Sequence, residues 1–165
     1  RFLLITAGDT SILEGLKGKV KVLVQRCLWH IPYQAKYVLW QDGVKHKGSE
    51  WLHVISELME ICAIRPLVDC EKTIKKMIES KRKRLESVIQ YCLSKGYPHT
   101  ASYLENAMPD MFTAIEKRLK GKTTSKVERV MRTINMRVNV SKWSIAGALN
   151  VTKIRLAYYY NGFDA

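Results

Sequence analysis

Two short stretches hold the residues whose types and spacing could do chemistry. The first is Thr123-Thr124-Ser125-Lys126-Val127-Glu128-Arg129-Val130-Met131-Arg132. Val127, Val130, Met131, Ile134 and Val138 recur at helical spacing. Glu128, Arg132 and Asn135 then share the neighbouring polar face. A carboxylate on the first turn of a helix, with Arg129 and Arg132 beside it, suits a site that binds metal and phosphate. The same residues also make a capping box, Ser125-x-x-Glu128, in which hydroxyl and carboxylate satisfy each other's amides. The second stretch is Val24-Gln25-Arg26-Cys27-Leu28-Trp29-His30, an apolar strand ending in Cys-x-x-His. A structural zinc site needs four ligands, and His46, His53 and His99 are too scattered to complete one. Cys27 and His30 are therefore assigned a structural role, the thiol filling space at a strand end and the imidazole bonding to or capping the next helix.

Charge points to the partner. Across 165 residues there are 28 Lys and Arg against 15 Asp and Glu, a formal net charge of +13. Such an excess attracts a polyanion and releases its counterions, so nucleic acid is the default partner. The densest cationic run is Lys81-Arg82-Lys83-Arg84, and Lys126, Arg129, Arg132 and Arg137 add a second series. Both are candidates for backbone-phosphate contact, against the plainer alternative of a solvated helix face. Trp29, Trp40, Trp51, Trp143 and Tyr158-Tyr159-Tyr160 are candidates for stacking on unpaired bases, or simply core and rim residues. No apolar run approaches the ~18 residues that span a bilayer, and no signal peptide is visible, which predicts a soluble intracellular chain. The four cysteines, Cys27, Cys62, Cys70 and Cys92, form no Cys-x-x-Cys pair and are expected to stay reduced.

The elements that must position these residues can be read along the chain. Arg1 to Thr6 predicts a buried strand closed by Ala7-Gly8-Asp9. A short helix through Leu16 follows, capped by Asp9 or Thr10 and stopped by Gly15 and Gly18. Val20 to Gln25 is the second strand, and so short a connection implies a parallel pair. Two strands cannot stand alone, so they are expected to belong to a larger sheet, with the chain beginning inside a longer protein. Helices are predicted from His30 to about Trp40, and from Ser49 with Leu52, Ile55, Leu58, Met59 and Cys62 inward. Pro66 interrupts. A long helix spans about Asp69 to Leu93, with Ile74, Met77, Ile78, Leu85, Val88 and Ile89 inward. Two shorter pieces meet at Pro109. The last two helices span Ser125 to Val138 and Ser144 to Tyr160.

In this order, Cys27-x-x-His30, a long helical stretch and Thr-Thr-Ser-Lys-Val-Glu-Arg resemble the second half of a DDE-type transposase catalytic domain. The prokaryotic insertion-sequence and Mutator-like group is the nearest match. The resemblance implies an α/β, mostly helical chain: a partial ribonuclease H-like fold of two parallel strands with a large all-helical insertion. It divides the chain into residues 1–41 (partial core), 42–122 (helical insertion) and 123–165 (C-terminal helices). It makes Glu128 the last catalytic carboxylate and a ligand of Mg²⁺, with Mn²⁺ as a substitute. It implies DNA as partner (transposon ends and target), a homodimer, no membrane, and a cytoplasmic, nucleoid-associated location.

Position 7 departs from the family. The first strand there ends in Asp-Gly, whereas this chain reads Ala7-Gly8, followed by Asp9. Two residues along a strand shift a side chain by about 6.6 Å, and catalytic geometry tolerates roughly 0.5 Å. Asp9 replaces the ligand only if the strand end bends. One Glu and a displaced Asp are too few to fix two hard cations, so the chain by itself is expected to be inactive. The rival reading is a non-enzymatic, basic helical DNA-binding module derived from a transposase.

Overall fold

Leu, Ile and Val dominate two five-residue stretches, Phe2–Thr6 (β1) and Val22–Arg26 (β2), and in the computed structural model these pair in parallel. The structure describes residues 2–8, 11–16, 18–64, 71–119 and 144–161. The register runs from Phe2 opposite Val22 to Thr6 opposite Arg26, and among the described residues the sheet has these two strands. A six-residue helix, α1 (Ser11–Leu16), connects them. Gly18, at φ +78°, lets the chain leave that helix through the left-handed region, so Gly15 lies inside the helix rather than ending it. Leu3 to Ile5 and Val22 to Val24 are half-buried, not buried as expected. A lone pair of strands offers each side chain too few neighbours for full burial.

After β2 the chain is helical: α2 (His30–Gln41), α3 (Ser49–Cys62), α4 (Glu71–Ser94), α5 (Pro98–Ala107), a 3₁₀ turn (Met108–Asp110) and α6 (Thr113–Glu116). Helix α2 packs on α3 and α5, and α4 packs on the same two. The core they enclose includes Ile31, Leu39, Leu58, Ile61, Leu85, Leu104 and Phe112, and every member of this cluster lies between Leu28 and Phe112. Among the described residues no strand residue belongs to it. The mostly helical α/β character expected from the sequence is thus present.

The stripe of α4 is the expected one, with Ile78, Leu85, Val88 and Ile89 buried and Ile74 and Met77 half-buried. The face of α3 needs correction. Its buried residues are Trp51, Val54, Ile55, Leu58 and Ile61, while Leu52 and Met59 are 52% and 60% exposed. Two overlapping apolar stripes run along this helix, and the one carrying the large Trp51 ring faces the core. Trp51 is therefore a core residue, not a stacking surface. Gly48, not Ser49, occupies the N-cap position of α3. The expected break at Pro66 lies outside the described residues.

Polar side chains fix the joints. The Asp42 carboxylate, just past α2, accepts the backbone N–H groups of His99 (3.0 Å) and Thr100 (2.8 Å) and the Thr100 hydroxyl (2.7 Å). It caps α5 from a distance, because Tyr97 at the N-cap supplies no side-chain bond and the first amides of a helix need acceptors. Glu50, at the start of α3, accepts the Tyr97 hydroxyl (2.5 Å) and the Lys95 ammonium (2.8 Å). Those two bonds, that of Lys95 foremost, lower the Glu50 pKa, and the bond to Glu50 raises the Tyr97 phenol to about 12.

The strands join the helices through Gln25, which is completely buried. Its amide nitrogen donates to the carbonyls of Met111 and Arg26, each at 2.6 Å, and its amide oxygen accepts the Ala114 N–H at 2.8 Å. Arg26 adds a bond to the Asn106 carbonyl at 3.1 Å.

The chain divides into two compact units, residues 1–123 and 124–165. In the second, α7 (Ile145–Asn161) begins where Ser144 accepts the Gly147 N–H at 3.1 Å. Among the described residues no helix is long and apolar enough to cross a membrane.

Gln25→Ala leaves a buried donor and a buried acceptor without partners, at about 1–3 kcal/mol each. Urea unfolding of the chain should show a loss of about 2–4 kcal/mol. Gln25→Leu, which restores volume but no hydrogen bonds, should not recover it. A loss under about 0.5 kcal/mol for Gln25→Ala would refute the role given to this amide.

Candidate functional site

Because β1 and β2 are parallel, their C-terminal ends lie at one edge, where loops of open α/β sheets present functional groups. The ladder runs one residue past β2, with the Cys27 N–H donating to the Thr6 carbonyl at 2.8 Å. The Thr6 hydroxyl then accepts the Gly8 N–H at 3.1 Å and turns the chain. Gly8 has φ +121°, and the Arg26 guanidinium fills the space a Cβ would take. The positive φ favours glycine there, and a Cβ would displace the end of the Arg26 side chain. Ala7 is exposed beside them. From the helical side, Asp110 faces the same arginine: burial raises its carboxyl pKa and the Arg26 charge opposes that rise. Tyr103 also senses Arg26, and burial pushes its phenol up to about 12.

This edge carries a guanidinium and a backbone turn, groups that suit a phosphate oxygen, with the Asp110 carboxyl beside them. The described residues do not suit a divalent cation. Ala7 has no ligand atom, Arg26 brings positive charge, and among the described residues no three His, Cys, Asp or Glu converge to hold a metal ion. The sequence already contained Arg26, between the buried Gln25 and Cys27, but alternation along the strand gives no sign that it bends back over Gly8. Asp110 was hidden behind Pro109 for the same reason, since its neighbour Arg26 is distant in sequence.

Cys27 and His30 form the turn that enters α2. Cys27 is fully buried, and its carbonyl accepts the His30 N–H at 3.0 Å. The His30 ring is buried edge-on against Trp29, with centroids 4.9 Å apart. Glu128 and Asp9, the expected catalytic and metal-binding carboxylates, lie outside the described residues. So do Lys126, Arg129, Arg132 and Arg137.

The run Lys81 to Arg84 is dispersed around α4. The Lys81 ammonium donates to the carbonyls of Glu60 (2.6 Å) and Ala63 (3.3 Å) at the end of α3, and burial lowers its pKa. Arg82 pairs with Glu116 at 2.9 Å and lies over the Phe112 ring. Arg84 pairs with Glu57 at 2.8 Å. Lys83 is exposed and shares a polar surface hollow of about 390 Å³ with Lys76, Glu79 and Arg84. Three of the four cations thus also bind the helices together.

No protein-family model, no curated protein and no solved structure matches this chain.

The thiols lead to a measurable consequence. Burial pushes Cys62 up to about 12 and Cys92 up to about 11, and Cys27 is buried. The thiolate, not the thiol, is the nucleophile that attacks a disulfide reagent and expels its leaving thiolate. In a Cys70→Ser background at pH 8, native thiols should react with DTNB at least about a hundredfold more slowly than in guanidinium. A thiol reacting at the unfolded rate in the native chain would contradict this packing.

Proposed function

We propose that the chain is the C-terminal part of a DDE-type transposase catalytic domain, acting in Mg²⁺-dependent cleavage and strand transfer at transposon ends. The observation that carries the reading is the parallel β1–β2 pair, which sets Ala7-Gly8 beside Arg26 and Cys27 at one edge. In sequence, a stretch whose described elements are helices then intervenes before Thr123 to Arg132. This is the order a ribonuclease H-like core with a helical insertion requires, and the net charge of +13 supports DNA as its substrate. In this reading Arg26 and the Gly8 turn receive a backbone phosphate, Cys27 and His30 hold the entry of α2, and Glu128 is the surviving carboxylate. A ribonuclease H-like core would need a first carboxylate and further strands beyond those of the described residues. Ala7 removes a further ligand, so the chain is an inactive remnant or piece of that machinery.

One observation favours a second reading, a non-enzymatic basic DNA-binding module. Among the described residues the strands contribute nothing to the apolar core of the helical body, which buries its faces between helices.

Two measurements test these readings. The chain should bind duplex DNA with log K falling linearly in log salt; a flat dependence, or no binding at low salt, defeats both. In a chain extended by further ribonuclease H-like strands that carry a first carboxylate, Mg²⁺ or Mn²⁺ should give no nicking with Ala7 in place. Ala7→Asp should restore cleavage, and adding Glu128→Gln should abolish it. If the extended chain cleaves with Ala7 and Asp9→Asn stops it, Asp9 is the ligand. If none of these carboxylates matters, only the binding module stands.

A further inference from the structure

We propose that the outer face of α2 is a stacking platform for single-stranded DNA. Trp29, Tyr33, Tyr37 and Trp40 follow one another at steps of four, four and three residues, which lines them along one side of the helix. All four are open to solvent, at 55%, 40%, 54% and 74% exposure. Trp51, the other tryptophan of the helical body, is by contrast 8% exposed. An exposed row of large rings on a basic chain is a surface that calls for a ligand.

The rings are ordered among themselves. Trp29 lies nearly parallel to Tyr33, with centroids 5.1 Å apart and planes 17° apart. Tyr33 meets Tyr37 edge-on at 5.8 Å, and their hydroxyls are 3.4 Å apart. The row is about 16 Å long, the length of roughly five bases stacked at 3.4 Å.

Charge complementarity identifies the occupant. The Lys36 ammonium sits 5.7 Å from the Tyr33 ring centre, between the rungs. Two hollows flank it, of about 650 and 470 Å³; Lys36 lines both, His46 lines the second, and among the described residues neither wall contains a carboxylate. Helix α2 itself has no acidic residue. Flat rings interleaved with a cation and free of negative charge match a strand whose bases are unpaired and whose phosphates run alongside. A protein helix would want aliphatic knobs and a neutral seam instead. The platform rests on the nucleic-acid part of the function proposed above and not on its cleavage chemistry.

Fluorescence anisotropy on the full chain separates these ideas, with a labelled oligo-dT of about twelve nucleotides beside a labelled duplex of about twenty base pairs. Tyr37→Ala and Trp40→Ala should each weaken single-strand binding roughly tenfold and leave duplex binding within about twofold. Trp40→Phe, which keeps a ring face, should stay within about threefold of the parent. Both side chains are more than half exposed, so an unchanged urea midpoint is expected and certifies the fold of each variant. Single-strand affinity unmoved in the double Ala variant, or equal losses on duplex and single strand, overturns the platform while DNA binding stands. Binding of neither DNA by the parent chain overturns both. An RNA strand of the same length that binds more tightly than oligo-dT overturns the assignment to DNA.

Discussion

The buried amide of Gln25 is the constraint on which the arrangement depends. The strands and the helical body are stabilised by different means. The helices bury a continuous apolar cluster, worth roughly 1.5–3 kcal/mol for each large aliphatic side chain removed from water. The strands have half-buried residues and one parallel ladder. What fixes them to the helices is a directional contact: one side chain satisfies a carbonyl and an amide on the segment from Met111 to Ala114. In a low-dielectric interior such bonds are strong when complete and costly when half made. They admit one orientation only, which is how Arg26 comes to lie over Gly8 and beside Asp110 rather than elsewhere on the edge.

Much of this was legible from residue types alone. The two strands, their parallel sense, the helix stop at Gly18 and the inward stripe of the long helix follow from local pattern. Local reading failed wherever a partner lies far along the chain. Gln25 looks like an ordinary polar strand residue until Met111 and Ala114 are brought to it. Asp42 looks like a turn residue and in fact caps a helix that begins at Pro98. On α3, Leu52 and Met59 fitted a plausible stripe, but Trp51, Val54 and Ile61 offered a competing one, and only packing decides between them. For the candidate site, Cys27 is buried just past the strand, while His30 is the first residue of α2 and Trp29 holds its N-cap position. The part played by Arg26 was not legible, because it depends on the absence of a Cβ at Gly8.

The basic character of the chain has two components. Lys81, Arg82 and Arg84 look like a phosphate-binding run, yet each is engaged with a carbonyl or carboxylate of a neighbouring helix. The pairs at Arg82 and Arg84 are partly exposed and individually modest. Their geometry nonetheless directs positive charge into the joints between α3, α4 and α6. Lys83 and Lys76 remain on the outer side of α4, and Lys36 stands among the rings of α2. Cationic groups available to an external polyanion are therefore fewer than composition suggests, and they are placed on particular faces.

The separation of Gln25 from its partners has a consequence for biogenesis. The amide lies 86 residues before Met111. At about 5–20 residues per second, a ribosome exposes the strands roughly 4–17 s before their docking site exists. During that interval the parallel pair has only its own ladder and the short α1 connection to hold it, while α2 and α3 can already form by local contacts. Helix α6, made long after β2, is thus the latch that anchors these two strands. A chain stalled or truncated before Ala114 would keep most of its helices and release an unsecured sheet edge, a surface prone to pair with other chains.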